Sequence, residues 1–308
     1  MWRPSVLTLR ILTVSALACV NGAHAFDLQG HRGARGMAPE NTLPGFAVAL
    51  SVGVSTLELD TGVTADGVVV IHHDRRLNPD LARGPDGQWI AAPGPLIHSL
   101  SYEALQRYDV GRLRPGSAYA ARHPEQIPVD GARVPRLADL FALVKKAGND
   151  TVRFNIETKI LPAAPDDTLP PEEFARALIA AIRAAGVGAR ASVQSFDWRT
   201  LHVVEREAPE IATVYLTGRR RAGSQPKAVH AAGGRVWSPN YEELDSAAMV
   251  EARALDLGVI PWVVDEPGFI ERYLDLGVDG LITDFPERVR AEMARRGMPL
   301  PLATPVAP

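Results

Sequence analysis

Beyond residue 25, short apolar runs rich in β-branched residues alternate with stretches whose apolar positions recur every three or four residues. The runs predict eight core strands at 27–30, 57–61, 152–157, 191–195, 211–216, 235–237, 259–264 and 279–283. Helical patterns fill the intervals at 43–51, 137–147, 171–185, 198–207, 225–232, 244–257 and 268–276. Several ends are legible. Pro171 suits a first helical position with Glu172 and Glu173 favouring the dipole, and Gly186 and Gly277 suit C-terminal caps. Strand–helix alternation repeated eight times over about 260 residues is the pattern of a (β/α)₈ TIM barrel. The competing arrangement is a doubly wound open sheet, but no Gly-rich dinucleotide or P-loop fingerprint opens any helix.

Two segments break the alternation. Residues 75–135 are rich in Pro, Gly and Arg, as in Arg83-Gly84-Pro85-Asp86-Gly87 and Arg112-Leu113-Arg114-Pro115-Gly116, with one short helix expected near 102–108. They read as an insertion between the second strand and its helix, expected to form a lid or rim at the barrel mouth. Residues 298–308 are proline-rich and expected to fray.

The first 25 residues read as a signal peptide. Arg3 and Arg10 provide the positive start, 11–20 form an uncharged, largely apolar run, and Ala23-His24-Ala25 is a small-x-small cleavage pattern. The run is too short to cross a bilayer as a mature helix, and no other stretch is long and apolar enough. Export to the periplasm or medium is therefore expected, leaving a single domain over 26–297 followed by the tail. The only cysteine, Cys19, lies in the leader, so the mature chain is expected to carry neither a disulfide framework nor a cysteine-based zinc site. A lipoprotein reading of Cys19 is weakened by Ala16, which stands where leucine is usual. With 46% hydrophobic and 22% charged residues among 308, the composition is globular, excluding disordered, collagenous and coiled-coil classes. Loss of the two leader arginines moves the formal charge from −3 to −5, which gives no reason to expect nucleic acid or an anionic membrane as partner.

Chemistry gathers at the predicted C-terminal ends of the strands, the rim where barrel enzymes keep their sites. The first strand runs into His31-Arg32-Gly33-Ala34-Arg35-Gly36, placing an imidazole and a guanidinium there. Arginine's fork suits phosphate and histidine suits proton transfer near neutral pH. In Glu58-Leu59-Asp60 the two acids sit at i and i+2, on one face of a strand. Like charges so placed are costly unless a cation or a proton sits between them or the strand end is solvated, and oxygen ligands of this kind suit a hard divalent ion, Ca²⁺ or Mg²⁺. After the turn signal Asp66-Gly67, the run Val68-Val69-Val70-Ile71 ends in His72-His73-Asp74, and alternation allows only one of the two histidines to reach the site. Asn155, Glu157 and Lys159 share a third face. Glu157 is able to complete a cation site and Lys159 to meet an anion, or the two simply pair with each other. His-Glu-x-x-His and Gly-x-Ser-x-Gly are both absent from the sequence. The combined set fits phosphodiester cleavage with one metal and two histidines.

These residues resemble the glycerophosphodiester phosphodiesterase family. The resemblance runs in order through His31-Arg32-Gly33, Pro39-Glu40-Asn41-Thr42, Glu58-Leu59-Asp60, Asp66-Gly67, Val69 to Asp74, Ile156-Glu157-x-Lys159, Trp262-Val263-Val264 and Gly277 to Pro286. The family fold is a (β/α)₈ barrel. The resemblance implies His31 and His73 as the catalytic pair, the second being the histidine directly before the Asp. It further implies Glu58, Asp60 and Glu157 as ligands of one divalent cation, Arg32 and Lys159 as phosphate holders, Trp262 as a pocket wall and Glu40 as a loop organiser. The implied substrate is a small glycerophosphodiester, cleaved to sn-glycerol 3-phosphate and an alcohol, with no nucleic acid and no stable membrane insertion. Val263 and Asp265 depart from the family's pattern after the tryptophan, and the insertion is expected to bear most on substrate selection. A phospholipase C- or D-like barrel would instead need an apolar rim, for which the insertion offers Trp89, Ile90, Leu96 and Ile97. A non-catalytic exported phosphodiester binder would be expected to lack one of these histidines or acids, and none is missing.

Overall fold

The alternation resolves into eight β/α units closed on themselves. A computed structural model describes residues 25–218 and 223–308. The first half comprises β1 (Asp27–Gly30), α1 (Leu43–Val52), β2 (Thr56–Val63), β3 (Val69–Ile71), α2 (Tyr102–Leu105), α3 (Ala118–Arg122), α4 (Leu137–Lys146), β4 (Arg153–Thr158) and α5 (Pro171–Ala184). The second comprises β5 (Ala191–Ser195), α6 (Trp198–Glu207), β6 (Ala212–Thr217), α7 (Gln225–Ala231), β7 (Val236–Pro239), α8 (Ser246–Ala254), β8 (Gly258–Val259), α9 (Pro267–Leu276), β9 (Gly280–Thr283) and α10 (Pro286–Arg295). Parallel pairing runs β8-β7-β6-β5-β4-β2-β1-β9. The ring shuts through Asp279 N–H to Val259 O at 2.9 Å and Ile282 N–H to Pro261 O at 3.1 Å. The open-sheet alternative is thereby excluded. Nearly all of the expected leader lies outside the described residues.

Strand alternation separates two environments. Leu57 and Leu59 of β2 and Phe154 and Ile156 of β4 join the apolar layer beneath the helices, where Phe141 of α4 meets Phe154 edge-on at 4.8 Å between centroids. The intervening Glu58, Asp60, Asn155 and Glu157 therefore face the barrel interior. Pairing sets Glu58 beside Asn155 and Asp60 beside Glu157. Adjacent strands thus bring three acids from two separate sequence segments to one level of the lumen.

The differences from the sequence reading have local causes. The strand expected over 259–264 stops at Val259 and continues only as a bridge between Asn240 and Trp262, since Pro261 has no N–H to donate. The helix expected from 244 begins at Ser246, where the Asp245 carboxylate accepts the Ala248 N–H at 2.8 Å. The unanticipated α10 buries only Pro286, Val289 and Met293, too narrow a stripe to stand out among its arginines and glutamates. The run after Asp66-Gly67 forms β3, which returns antiparallel on β2. The tail expected to fray is hydrogen-bonded, through Thr304 N–H to Leu50 O at 2.8 Å, Arg290 to Pro301 O at 2.6 Å and Lys146 to Ala307 O at 2.8 Å. Proline removes donors but leaves carbonyls, and these basic side chains use them.

The insertion packs Leu77, Ala82, Ile97, Leu105 and Val134 into a small core against Val70 of β3. Ile97 is buried, Ile90 packs on this cluster and the Arg83 guanidinium lies 5.9 Å from the Trp89 ring. Of the residues a lipid-facing rim would need, Ile97 is buried and Trp89, Ile90 and Leu96 are half-buried. Among the described residues no helix is long and apolar enough to cross a membrane.

Candidate active site

The β1–α1 loop coils tightly above the barrel. Arg32 and Asn41 adopt left-handed backbone angles, with φ of 52° and 54°, and Gly33 has φ of 89°. A Cβ on Gly33 would stand 2.8 Å from the Gly45 carbonyl carbon, so only glycine fits. This coil turns the Arg32 N–H onto Glu58 Oε2 at 2.8 Å. Thr42 caps α1 through the Gly45 N–H, and Asn41 Nδ2 donates to Asp60 Oδ2 at 2.9 Å.

His31, Arg32, Glu58, Asp60, His73, Glu157, Lys159 and Trp262 all line one cavity of about 180 Å³. Every site residue expected from the sequence is therefore brought together. Of the two adjacent histidines, His73 reaches this cavity, while His72 is buried with Nδ1 2.7 Å from the Asp74 carbonyl. The cavity shares His73, Glu157, Lys159 and Phe196 with a vestibule of about 580 Å³, walled in part by Arg75, Arg76, Leu161 and Asp167.

Each histidine is held the same way. His31 Nδ1 lies 2.6 Å from Asp284 Oδ1, and His73 Nδ1 lies 2.6 Å from Asp74 Oδ1. A carboxylate accepts only, so each Nδ1 carries the proton and each Nε2 keeps its lone pair. Burial, reinforced by Arg35, lowers the His31 pKa to about 4. Burial, reinforced by Arg32 and Lys159, does the same at His73, also to about 4. Both imidazoles are therefore neutral at pH 7.

Glu58, Asp60 and Glu157 offer oxygens within 4.8 Å of one another. Burial and the neighbouring Asp60 push Glu58 well above the usual carboxylate range, and burial raises Glu157 to about 7 against the pull of Lys159. Asp60 is held low by Lys159, His73 and Arg32, which outweigh its burial. Its Oδ1 is buried, accepts no hydrogen bond and lies 3.5 Å from the Lys159 ammonium. Three buried carboxylates, one of whose oxygens accepts no hydrogen bond, fit a hard divalent cation. Lys159 Nζ pairs with Glu157 at 2.8 Å, and it does so inside the cavity rather than on a solvated face.

Sequence reasoning assigned no role to several residues found here. Arg35 grips Asp284 through two hydrogen bonds of 2.9 and 2.8 Å. Tyr119, from the insertion, bonds the Glu40 carboxylate and lies 3.4 Å from both Arg32 and Arg35. Glu40, which the resemblance implied as a loop organiser, pairs with Arg32 at 2.7 Å. Gln194 donates to Glu58, and Phe196 meets Trp262 edge-on at 5.4 Å. Asp284 and Gln194 stand on or just past strand ends and carried that positional signal. Tyr119 carried none.

The family model for the glycerophosphoryl diester phosphodiesterase family matches residues 31–288. The chain belongs to this family. Glycerophosphodiester phosphodiesterases from Caldanaerobacter subterraneus and Bacillus subtilis are 26% and 27% identical to it, covering 87% and 83% of this chain and 97% and 83% of their own. A crystal structure from Silicibacter pomeroyi, bearing the same family's name, is 35% identical with a TM-score of 0.83, over 89% of this chain and 95% of that one. An Oleispira antarctica phosphodiesterase, solved with the product sn-glycerol-3-phosphate, shares the fold at 20% identity and a TM-score of 0.69, over 87% and 96%. This glycerophosphodiester phosphodiesterase thus has its family's barrel around the cavity just described.

Proposed function

We propose that the chain hydrolyses glycerophosphodiesters to sn-glycerol 3-phosphate and an alcohol, with one divalent cation and the His31–His73 pair. The carrying observation is that three clustered carboxylates and two imidazoles, each with Nδ1 on a carboxylate, line one small cavity. Glu58, Asp60 and Glu157 would hold Ca²⁺ or Mg²⁺. When bound there, such an ion supplies charge neutralisation and polarisation at the phosphoryl oxygens.

Arg32 and Lys159 set positive charge around the phosphate position, where a dry wall strengthens it. Phe196, Trp262 and Val263 offer the apolar side of the cavity to the carbon chain of glycerol. One imidazole Nε2 takes the proton of the attacking oxygen, either water or the glycerol hydroxyl beside the phosphate, in which case water opens the resulting cyclic phosphate in a second step. The bond from phosphorus to the alcohol oxygen breaks, and that oxygen takes a proton from the other imidazole. His73 lines both cavity and vestibule whereas His31 lines the inner cavity alone, which supports His73 as the acid facing the departing alcohol and His31 as the base. Arrival of an anionic phosphodiester raises the proton affinity of His73 from its low resting value, so its Nε2 takes up a proton from solvent before giving it to the alcohol.

The assay is release of glycerol 3-phosphate from glycerophosphocholine, with and without EDTA, by wild type and His31→Ala. Loss of activity in both conditions is expected. Full activity in EDTA overturns the cation, and wild-type turnover by the variant overturns the histidine pair. We also propose that the protein is exported, on the leader pattern ending at Ala25. N-terminal sequencing of the mature protein should begin at Phe26.

A further inference from the structure

Both oxygens of Glu58 are spoken for within the protein. Oε2 accepts the Arg32 N–H at 2.8 Å, and Oε1 accepts Gln194 Nε2 at 2.6 Å. The second bond is the end of a chain that crosses the lumen. Gln194 Oε1 accepts from Asn155 Nδ2 at 2.9 Å, and the same Asn155 nitrogen donates to Gln29 Oε1 at 2.9 Å. Gln29 Nε2 in turn donates to Asp27 Oδ2 at 2.9 Å, near the start of β1. Gln29, Asn155 and Gln194 are all buried.

The direction of every bond in this chain is forced. Its Asp27 end, paired with the Arg153 guanidinium at 2.8 Å, is a carboxylate that accepts only, and this end sets the order of the rest. Gln29 must turn its NH₂ to Asp27 and Gln194 must turn its NH₂ to Glu58, leaving two amide carbonyls facing Asn155. Asn155 satisfies both because one NH₂ carries two protons, while its own carbonyl takes the Ser192 hydroxyl at 3.0 Å. No other arrangement leaves every group paired, so the amide of Gln194 cannot flip without stranding buried atoms.

We infer that Asn155 and Gln194 are positioning residues that hold Glu58 in the orientation its cation requires, so that cation affinity is set partly from inside the barrel. This rests on Glu58, Asp60 and Glu157 as the cation site. Groups that orient a ligating carboxylate commonly change affinity by about 10–100-fold when lost. Asn155 does not line the cavity, so its effect travels through Gln194.

The test uses the metal-stripped full chain with Gln194→Met and Asn155→Leu, neutral changes of similar size that remove the donors without altering charge. Ser192→Ala removes only the hydroxyl on the Asn155 carbonyl and is the control. Isothermal titration with MgCl₂ and with CaCl₂ gives the dissociation constant, and melting in chelator reports whether each variant folds. Gln194→Met should bind at least about tenfold more weakly, with Ser192→Ala unchanged. In wild type, the Gln194 side-chain amide resonances should shift as cation is added. If Asn155→Leu does not fold, Gln194→Met decides alone. Folded variants that bind within about threefold of wild type overturn the inference. Wild type that binds neither cation overturns the site on which it rests.

Discussion

His31 Nδ1 and Asp284 Oδ1 lie 2.6 Å apart although 253 residues separate them. The contact joins the end of β1 to the residue after β9, the two strands whose pairing helps close the ring. It is matched across the cavity by His73 and Asp74, which are neighbours in sequence. One dyad therefore depends on barrel closure and the other on a local turn.

Asp284→Asn tests the distant dyad. The amide offers an N–H where the carboxylate only accepted, so His31 switches tautomer and its Nε2 lone pair turns away from the reaction. Turnover should fall by about 100-fold or more with KM changed far less. Steady-state kinetics on glycerophosphocholine measure it, and a loss below about fivefold contradicts the role of the dyad.

Glu157→Gln separates electrostatic strain from cation binding. In cation-free protein, removing one of three crowded acids relieves repulsion, so its melting temperature should rise by a few degrees, about 1 kcal/mol or more. The stabilisation that excess MgCl₂ or CaCl₂ gives wild type, about 2.7 kcal/mol at one hundred times the dissociation constant, should largely vanish. Thermal melts with and without cation check both halves.

Asp265 predicts a pH dependence. Its Oδ1 accepts the Asp284 N–H at 2.8 Å and the Thr283 hydroxyl at 3.0 Å. Burial and the nearby Asp284 raise its pKa to about 7, above its unfolded value of 3.8. Between those limits the folded state binds more protons than the unfolded one, so this group's contribution to stability declines as pH rises from about 4 to 7 and stays low above. Asp265→Asn keeps an accepting Oδ1 and removes the charge. The variant should match wild type near pH 4 and exceed it by about 1 kcal/mol at pH 8, read from melting curves across pH.

Tyr119→Phe probes the insertion. Its hydroxyl ties α3 to Glu40, Arg32 and Arg35, so removal loosens the guanidinium beside the phosphate position. KM should rise about three- to tenfold while turnover stays within about twofold, with stability lower by about 1 kcal/mol. An unchanged KM means that the insertion only covers the loop.

The sequence alone determined the barrel and the place of its chemistry, because both are written at short range. Period-two and period-3.6 apolar patterns specify strands and helices, and Glu58, Asp60 and Glu157 announce themselves by sitting at i and i+2 spacings on strand ends. Alternation reduced His72 and His73 to one, and the family resemblance named His73. Elements that hide from periodicity were missed: α10 has a thin apolar stripe, and the insertion's α3 is a five-residue helix with no buried residue.

Tertiary structure decided what depends on strand register and ring closure. Which acid lies beside which follows from the β2–β4 register. The pairing of His31 with Asp284, the grip of Arg35, the Tyr119 hydroxyl and the amide chain from Asp27 to Glu58 all join residues far apart in sequence. No local pattern encodes such contacts. They exist because a closed barrel turns alternate residues of every strand toward one narrow lumen, where each buried polar group must find a partner.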